Sequence, residues 1–396
     1  MARSLLLFCA VFAACFFLLR SVCLSEAVIT VGVGVLAWWV ADIVSKAFVN
    51  WIPRTKIDPD NKAVFITGCD SGFGNELAKR LDALGFHVYA GCLLPDKEGA
   101  VKLKETCSDK LRIVPLDVTD DSQVKAAVKE VETTLDGKDL WALVNNAGIA
   151  TFTEIEWCPV ETYQKIFDVN AMGPIRVTKS FLPLLRESRG RVLIVASLAG
   201  RYTFPGFSAY SMSKYAAISF SDALRREMKK WGISVHTVEP TIYKTPITAV
   251  DRLTSILKNA WDATPSSVQD SYGLEYYQAF QQCLMGQIKR ARTNVDEVVL
   301  DMVDAVAGEN PKLRYVPGIP IQIRAKILSS IPTELQDYLF GLVQPRCPPA
   351  AARIRSIEKL RPELRRAQSE PVKIKNFAHN LLYSLSKFSL VKNPTT

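Results

Sequence analysis

Thr67-Gly68-Cys69-Asp70-Ser71-Gly72-Phe73-Gly74 follows directly on the apolar run Ala63 to Thr67 and opens the amphipathic stretch Asn75 to Leu84. A glycine cluster by itself carries little, but between a strand and a helix it supplies what a dinucleotide site requires. Gly68 lets the chain turn, Gly72 lets backbone approach a pyrophosphate closely, and Gly74 lets helix and strand pack. The helix N-terminus then presents its partial positive charge to the phosphates.

Outward from this turn, to about Pro240, short apolar runs alternate with segments of helical period. The strand candidates are Ala63 to Thr67, His87 to Cys92, Leu111 to Leu116, Leu140 to Val144, Arg191 to Ala196 and Ser234 to Val238, with a seventh at Leu313 to Val316. Between them lie helical stretches Asn75 to Leu84, Ser122 to Leu135, Val160 to Arg186 and Ser211 to Lys230. Continuous apolar strands are those buried on both faces, so the expected class is α/β, a doubly wound parallel sheet of about seven strands. Residues 241–290 interrupt the alternation, where a substrate lid would sit within a domain of residues 60–320. Residues 320–344 read as an amphipathic helix pair, either lying on a membrane surface or packed on the core.

With 48% hydrophobic residues the chain can bury a sizeable core. Leu5 to Leu19 and Ala27 to Ala41 carry no charge, and residues 1–50 are expected to form an N-terminal membrane anchor of one or two transmembrane helices. A cleaved signal peptide is the alternative for the first run, since Arg3 gives it a charged start and small residues lie near Ser25. Lys46, Arg54, Lys56 and Lys62 outnumber the cations of the connection between the runs, which places the main domain on the cytosolic side. The nine cysteines follow no metal-ligand spacing, and no metal is expected. Much of the net charge of +9 sits in the tail of residues 345–396, expected to be flexible and either to touch anionic lipid or to stay solvated; nucleic acid is not an expected partner.

Tyr210 and Lys214 stand four residues apart, with Ser197 at a strand end before them and Asn170 earlier still. On a helix, such positions share a face and point into one cleft. A neighbouring cation favours the phenolate, so Lys214 is expected to lower the Tyr210 pKa from about 10 and make it a general base for alcohol oxidation. Ser197 would steady the charge on the substrate oxygen.

Together with Asn145-Asn146-Ala147-Gly148, these residues resemble the short-chain dehydrogenase/reductase superfamily from about Lys62 to Thr245. The spacing G-x-x-x-G-x-G sets it apart from the G-x-G-x-x-G of the long-chain dehydrogenases. F-I-T-G-C-D-S-G-F-G, L-W-A-L-V-N-N-A-G and K-S-F-L-P-L-L-R resemble the branch of membrane-bound retinol dehydrogenases, type 2 hydroxysteroid dehydrogenases and 3-hydroxybutyrate dehydrogenase. The resemblance implies a Rossmann sheet and a catalytic tetrad of Asn170, Ser197, Tyr210 and Lys214. It gives Lys214 a second task on the nicotinamide ribose, and Asn170 a water in a proton relay. For the cofactor it implies Thr67, Gly68, Ser71, Gly72, Phe73 and Gly74 in the turn, Asp117 and Val118 at the adenine, Asn145, Ala147 and Gly148 at a strand end, and Pro240 and Thr245 near the nicotinamide. It further implies a homodimer through the helices around Val160 and Tyr210, and a lipophilic alcohol or ketone as substrate, with a short hydroxy acid as the alternative and a catalytically weak nucleotide-binding scaffold as a third reading.

No acid follows the second strand at the usual distance of about 20 residues from the turn. No arginine or lysine stands there either to hold a 2'-phosphate, so NAD is expected over NADP. Pro240-Thr241 replaces the family's usual Pro-Gly, which bars a glycine-only conformation at that point. Endoplasmic reticulum is the expected membrane, with mitochondrial membrane as the alternative. Ser369, flanked by Arg366, is a candidate phosphorylation site.

Overall fold

The computed structural model describes residues 55–354, together with residues 17, 26, 29–35, 37, 38 and 41 of the N-terminal stretch. The element order is β1 (Lys62–Thr67), α1 (Gly72–Ala83), β2 (His87–Cys92), α2 (Glu98–Thr106), β3 (Leu111–Pro115), α3 (Asp121–Thr134), β4 (Asp139–Asn145), α4 (Val160–Phe167), α5 (Gly173–Ser188), β5 (Arg191–Val195), α6 (Ser208–Met228) and β6 (Ser234–Val238). There follow α7 (Val250–Asp262), α8 (Ser266–Tyr272), α9 (Leu274–Lys289), α10 (Asp296–Ala307), β7 (Arg314–Tyr315), α11 (Ile319–Ser330) and α12 (Thr333–Gly341).

The strands pair in parallel in the order β3-β2-β1-β4-β5-β6-β7. Alternation along each strand divides the core in two. Val64 and Ile66 of β1 point to the side of α1 and α10, where Leu77, Leu81, Val298 and Met302 pack. Ala63 and Phe65 point to the other side, against Val131, Val177, Phe181 and Leu224 of α3, α5 and α6. Phe65 and Phe181 pack with tilted rings 4.5 Å between centres, and truncating either to alanine would cost about 3–5 kcal/mol. The seven expected strands are present, the last reduced to two residues, Arg314 and Tyr315. Helix α2 was not legible as a helix.

The expected single helix from Val160 to Arg186 is interrupted. Asp168–Met172 forms a π turn between α4 and α5, one residue wider than an α turn and a form that recurs at functional sites.

The strand order reverses between β1 and β4, so the connections leaving their carboxyl ends go to opposite faces and leave a crevice between them. The insertion forms α7, α8 and α9, which close over one flank of the crevice. Their cluster centres on Trp157, 4.9 Å from Trp261 and 5.3 Å from Phe280. Helices α11 and α12 do form, and Phe340 of α12 lies 4.8 Å from Phe204.

Among the described residues no helix is long and apolar enough to cross a membrane. Most of the expected anchor, the tail after residue 354 and Ser369 lie outside the described residues. Arg353, within the expected tail, pairs with Glu275 of α9 at 2.7 Å.

Candidate active site

The crevice is a cavity of about 1050 Å³. On its phosphate side Gly68 sits at φ 72°, where a side chain is strained, and a Cβ there would stand 2.8 Å from the Ala147 Cα. Gly72, at φ 64°, has nothing nearer than Thr245 at 3.9 Å, so its bare face leaves space in front of the α1 N-terminus. The Asn146 amide, which a Cβ on Gly74 would strike, donates to the carbonyls of Thr67 and Gly68 at 2.9 Å each. The Thr67 hydroxyl in turn accepts from the Asn146 and Ala147 backbone at 3.0 Å each. The turns after β1 and β4 are thereby locked to each other around a cradle that fits a pyrophosphate.

Of the expected site residues, Gly68, Ser71, Gly72, Phe73, Asp117, Val118, Ala147, Gly148, Ser197, Tyr210, Lys214, Pro240 and Thr245 line the cavity. Thr67, Gly74, Asn145 and Asn170 do not. Thr67 acts behind the wall, as just described. Asn145 is turned inward, its amide on the Thr178 hydroxyl at 2.9 Å; it is Asn146 that faces the cleft. Asn170, on the π turn, is buried, with its amide hydrogens on the Ile149 carbonyl at 2.8 Å and the Ser213 hydroxyl at 3.0 Å. Its Oδ1 accepts from Ile149 N at 2.8 Å. Both side-chain donors are therefore taken, and a water here would have to use a carbonyl oxygen of Asn170.

Helix α6 brings Tyr210 and Lys214 to the cleft floor on one face, the ammonium 5.7 Å from the tyrosine ring centre. Lys214 donates to the Val195 carbonyl at 2.9 Å. Ser197, at the end of β5, donates to the Pro240 carbonyl at 3.2 Å, accepts from Ala199 N at 3.1 Å and stands beside the Tyr210 hydroxyl. The expected depression of the tyrosine pKa by Lys214 is not what the polypeptide produces. Burial pushes Tyr210 up to about 12, offset in part by its bond to Ser197, and burial brings Lys214 down to about 8. Desolvation is the largest cause at both groups, since each charged form loses water in the cleft floor.

One residue that the sequence reading passed over stands at the end of β2. The Asp70 carboxylate accepts from Leu93 N at 3.0 Å and Leu94 N at 2.7 Å and lines the cleft. An acid thus does stand at the end of β2, brought there by the glycine turn; its visible signal was the aspartate inside T-G-C-D. Thr241 also lines the cleft and is absent from the positive-φ residues, which among the described non-glycine residues are Asn61, Asp136 and Arg189. The backbone after β6 thus follows a path open to an ordinary side chain.

Beyond Tyr210 the cleft is walled by Phe152, Phe204, Phe207, Ile242, Ile247 and Ile321, with Arg290 and Arg324 also among its lining.

A glycine cradle at a sheet's switch point, with a half-buried tyrosine and a buried lysine beyond it, marks the class of dinucleotide-dependent enzymes. A family model described as short chain dehydrogenase matches residues 62–255. The 17-beta-hydroxysteroid dehydrogenase type 6 of Bos taurus is 40% identical over 287 residues, covering 72% of this chain and 90% of that protein. The mitochondrial D-beta-hydroxybutyrate dehydrogenase of Rattus norvegicus is 39% identical over 286 residues, 70% of this chain and 83% of that one. The fold matches a crystal structure of a short chain dehydrogenase from Burkholderia cenocepacia J2315 in complex with NADP, with TM-score 0.53 at 22% identity over 70% of this chain and 96% of the other. The chain belongs to the short chain dehydrogenase family.

Proposed function

We propose that this protein interconverts an alcohol and a carbonyl on a lipophilic substrate of hydroxysteroid or retinoid type, with NAD in preference to NADP. The observation that carries the reading is the grouping of Ser197, Tyr210 and Lys214 on the cleft floor between the glycine cradle and an aromatic wall. The bound nicotinamide supplies the hydride exchange. Tyr210 takes the hydroxyl proton in oxidation and returns it in reduction. Ser197, placed by its bond to the Pro240 carbonyl, turns that hydroxyl proton to the substrate oxygen when substrate enters, and beside Tyr210 it favours the phenolate. Lys214 holds ribose hydroxyls, and Asp70 accepts from the adenosine ribose at the place where a 2'-phosphate would meet its charge. A screen of hydroxysteroids, retinols and 3-hydroxybutyrate with NAD, followed by absorbance of the reduced cofactor, should show turnover of a lipophilic alcohol; no turnover on any would refute the reading. Arg290 and Arg324 in the cleft lining favour a hydroxy acid as the second reading.

The membrane placement extends this reading. Residues 1–50 form the anchor, 320–344 lie at the lipid surface, and 345–396 follow as a basic tail, with the sheet domain on the cytosolic side of the endoplasmic reticulum. Ile319, Ile323 and Ile327 support it, recurring every fourth residue on the exposed side of α11. Exposed Val160, Phe167, Met212 and Tyr215 on α4 and α6 support a homodimer through those helices.

A further inference from the structure

Glu239, directly before Pro240, is only 2% exposed. Arg201 grips its carboxylate with two bonds, Nε to Oε2 at 2.8 Å and Nη2 to Oε1 at 2.7 Å. Arg314 adds a third at 3.2 Å and the Thr237 hydroxyl a fourth at 3.0 Å. The other nitrogen of Arg314 reaches both oxygens of Asp222, at 2.6 and 2.7 Å. These partners come from separate elements. Arg201 closes the turn opened by Ser197, Arg314 belongs to β7, and Asp222 lies on α6 beyond Tyr210 and Lys214. The Glu239 carboxylate therefore ties the end of β6 directly to the turn that carries Ser197, and through Arg314 and Asp222 to α6, which carries Tyr210 and Lys214.

A buried ion pair is weak grounds for stability, because desolvation consumes most of the attraction; its better-attested use is to fix one arrangement. Here the arrangement is specific. The Pro240 carbonyl accepts from the Ser197 hydroxyl at 3.2 Å and from Leu198 N at 3.0 Å, so the residue next to Glu239 aims the hydroxyl beside Tyr210. We propose that Glu239 and Arg201 are positioning residues for the chemical step, holding the Pro240 carbonyl and through it the Ser197 hydroxyl in register with Tyr210. Neither side chain lines the cleft.

The inference rests on the oxidoreductase reading above, and its test separates the two. Glu239→Gln keeps the shape but removes the charge, leaving Arg201 and Arg314 without their shared anion; Arg201→Lys keeps the charge but loses the two-pronged grip. In the full-length protein, kcat for the alcohol identified by the screen should fall about ten-fold or more, since a displacement near 1 Å costs about 10²-fold. NADH affinity, read by fluorescence, and the alcohol KM should stay within about two-fold. The rise of kcat with pH should move to higher pH, because Ser197 favours the phenolate. Unchanged kcat and pH profile in a variant that binds NADH normally would overturn the proposal, whatever its melting temperature. If Glu239→Gln does not fold, Arg201→Lys decides, and full kcat in that variant overturns it. A wild type that oxidises no alcohol would overturn both readings, whereas an active wild type with equally active variants overturns this one alone.

Discussion

Replacing Lys214 by methionine should stabilise the fold while ending turnover. Lys214 is 5% exposed, and burial brings its pKa from 10.5 to about 8. At roughly 1.4 kcal/mol for each tenfold change in proton affinity, keeping the ammonium charged near neutral pH costs about 3 kcal/mol. Its bond to the Val195 carbonyl, at 2.9 Å, returns about 1.5 kcal/mol or somewhat more. Methionine has similar reach and no charge, so the variant should gain about 1–2 kcal/mol, a few degrees in melting temperature. The sign with pH follows from linkage. Because the folded pKa lies below the unfolded one, the folded state binds fewer protons between about 8 and 10.5, and the wild type gains stability as pH rises through that window. The wild type regains about 3 kcal/mol across it, more than the advantage of methionine, so the order of the two stabilities should reverse above it. Urea titrations of both proteins at neutral and alkaline pH measure this directly. A variant less stable than wild type by more than about 1 kcal/mol at neutral pH, or a gap indifferent to pH, would refute the claim that burial dominates at Lys214.

Tyr210→Phe keeps the ring packed edge-on against Phe152 and should lower turnover about 10²- to 10⁴-fold with NADH affinity nearly unchanged; near-normal turnover would remove Tyr210 from the mechanism. Asp70→Ala should relax the preference for NAD over NADP, measured as the ratio of kcat/KM values, and a ratio that stays put would mean that the carboxylate only shapes the β2 end. Deleting residues 1–50 should move most of the protein to the supernatant of a membrane pelleting assay. A truncated form that still pellets would mean that residues 320–354 or the tail suffice for attachment.

The layered sheet was readable because burial on both faces leaves strands such as Val64–Ile66 and Leu143–Val144 without polar interruption, and turns such as that at Gly68 leave a residue-specific mark. Tyr210 and Lys214 were readable from helical phase and Ser197 from the strand end before them, their joint meaning came with the glycine turn and the family resemblance, and the structure does bring the three together. What stayed hidden depends on tertiary surroundings. Whether Asn145 or Asn146 faces the cleft is set by the pleat at the last pair of β4, one residue's difference in phase. The direction of the Tyr210 pKa depends on desolvation, which a neighbour four residues away cannot report. Asp70 was visible as a residue, but its arrival at the end of β2 needed the turn to fold back on Leu93 and Leu94. The bonds between Glu239 and Arg201 join positions 38 residues apart in sequence, beyond any local pattern.

The π turn at Asp168–Met172 gives the long helix an extra residue, and so a phase that must be kept. An α-helix rotates about 100° per residue. Removing one residue between Asp168 and Met172 would let the helix relax to a regular wind, but only by turning one end against the other. Either Asn170 would swing off Ile149 and Ser213, or Val177 and Phe181 would rotate away from the sheet. The helix thus works as a splice between two separately phased faces, one serving the cleft and one the core, and a single-residue deletion there should be worse tolerated than most substitutions at the same positions.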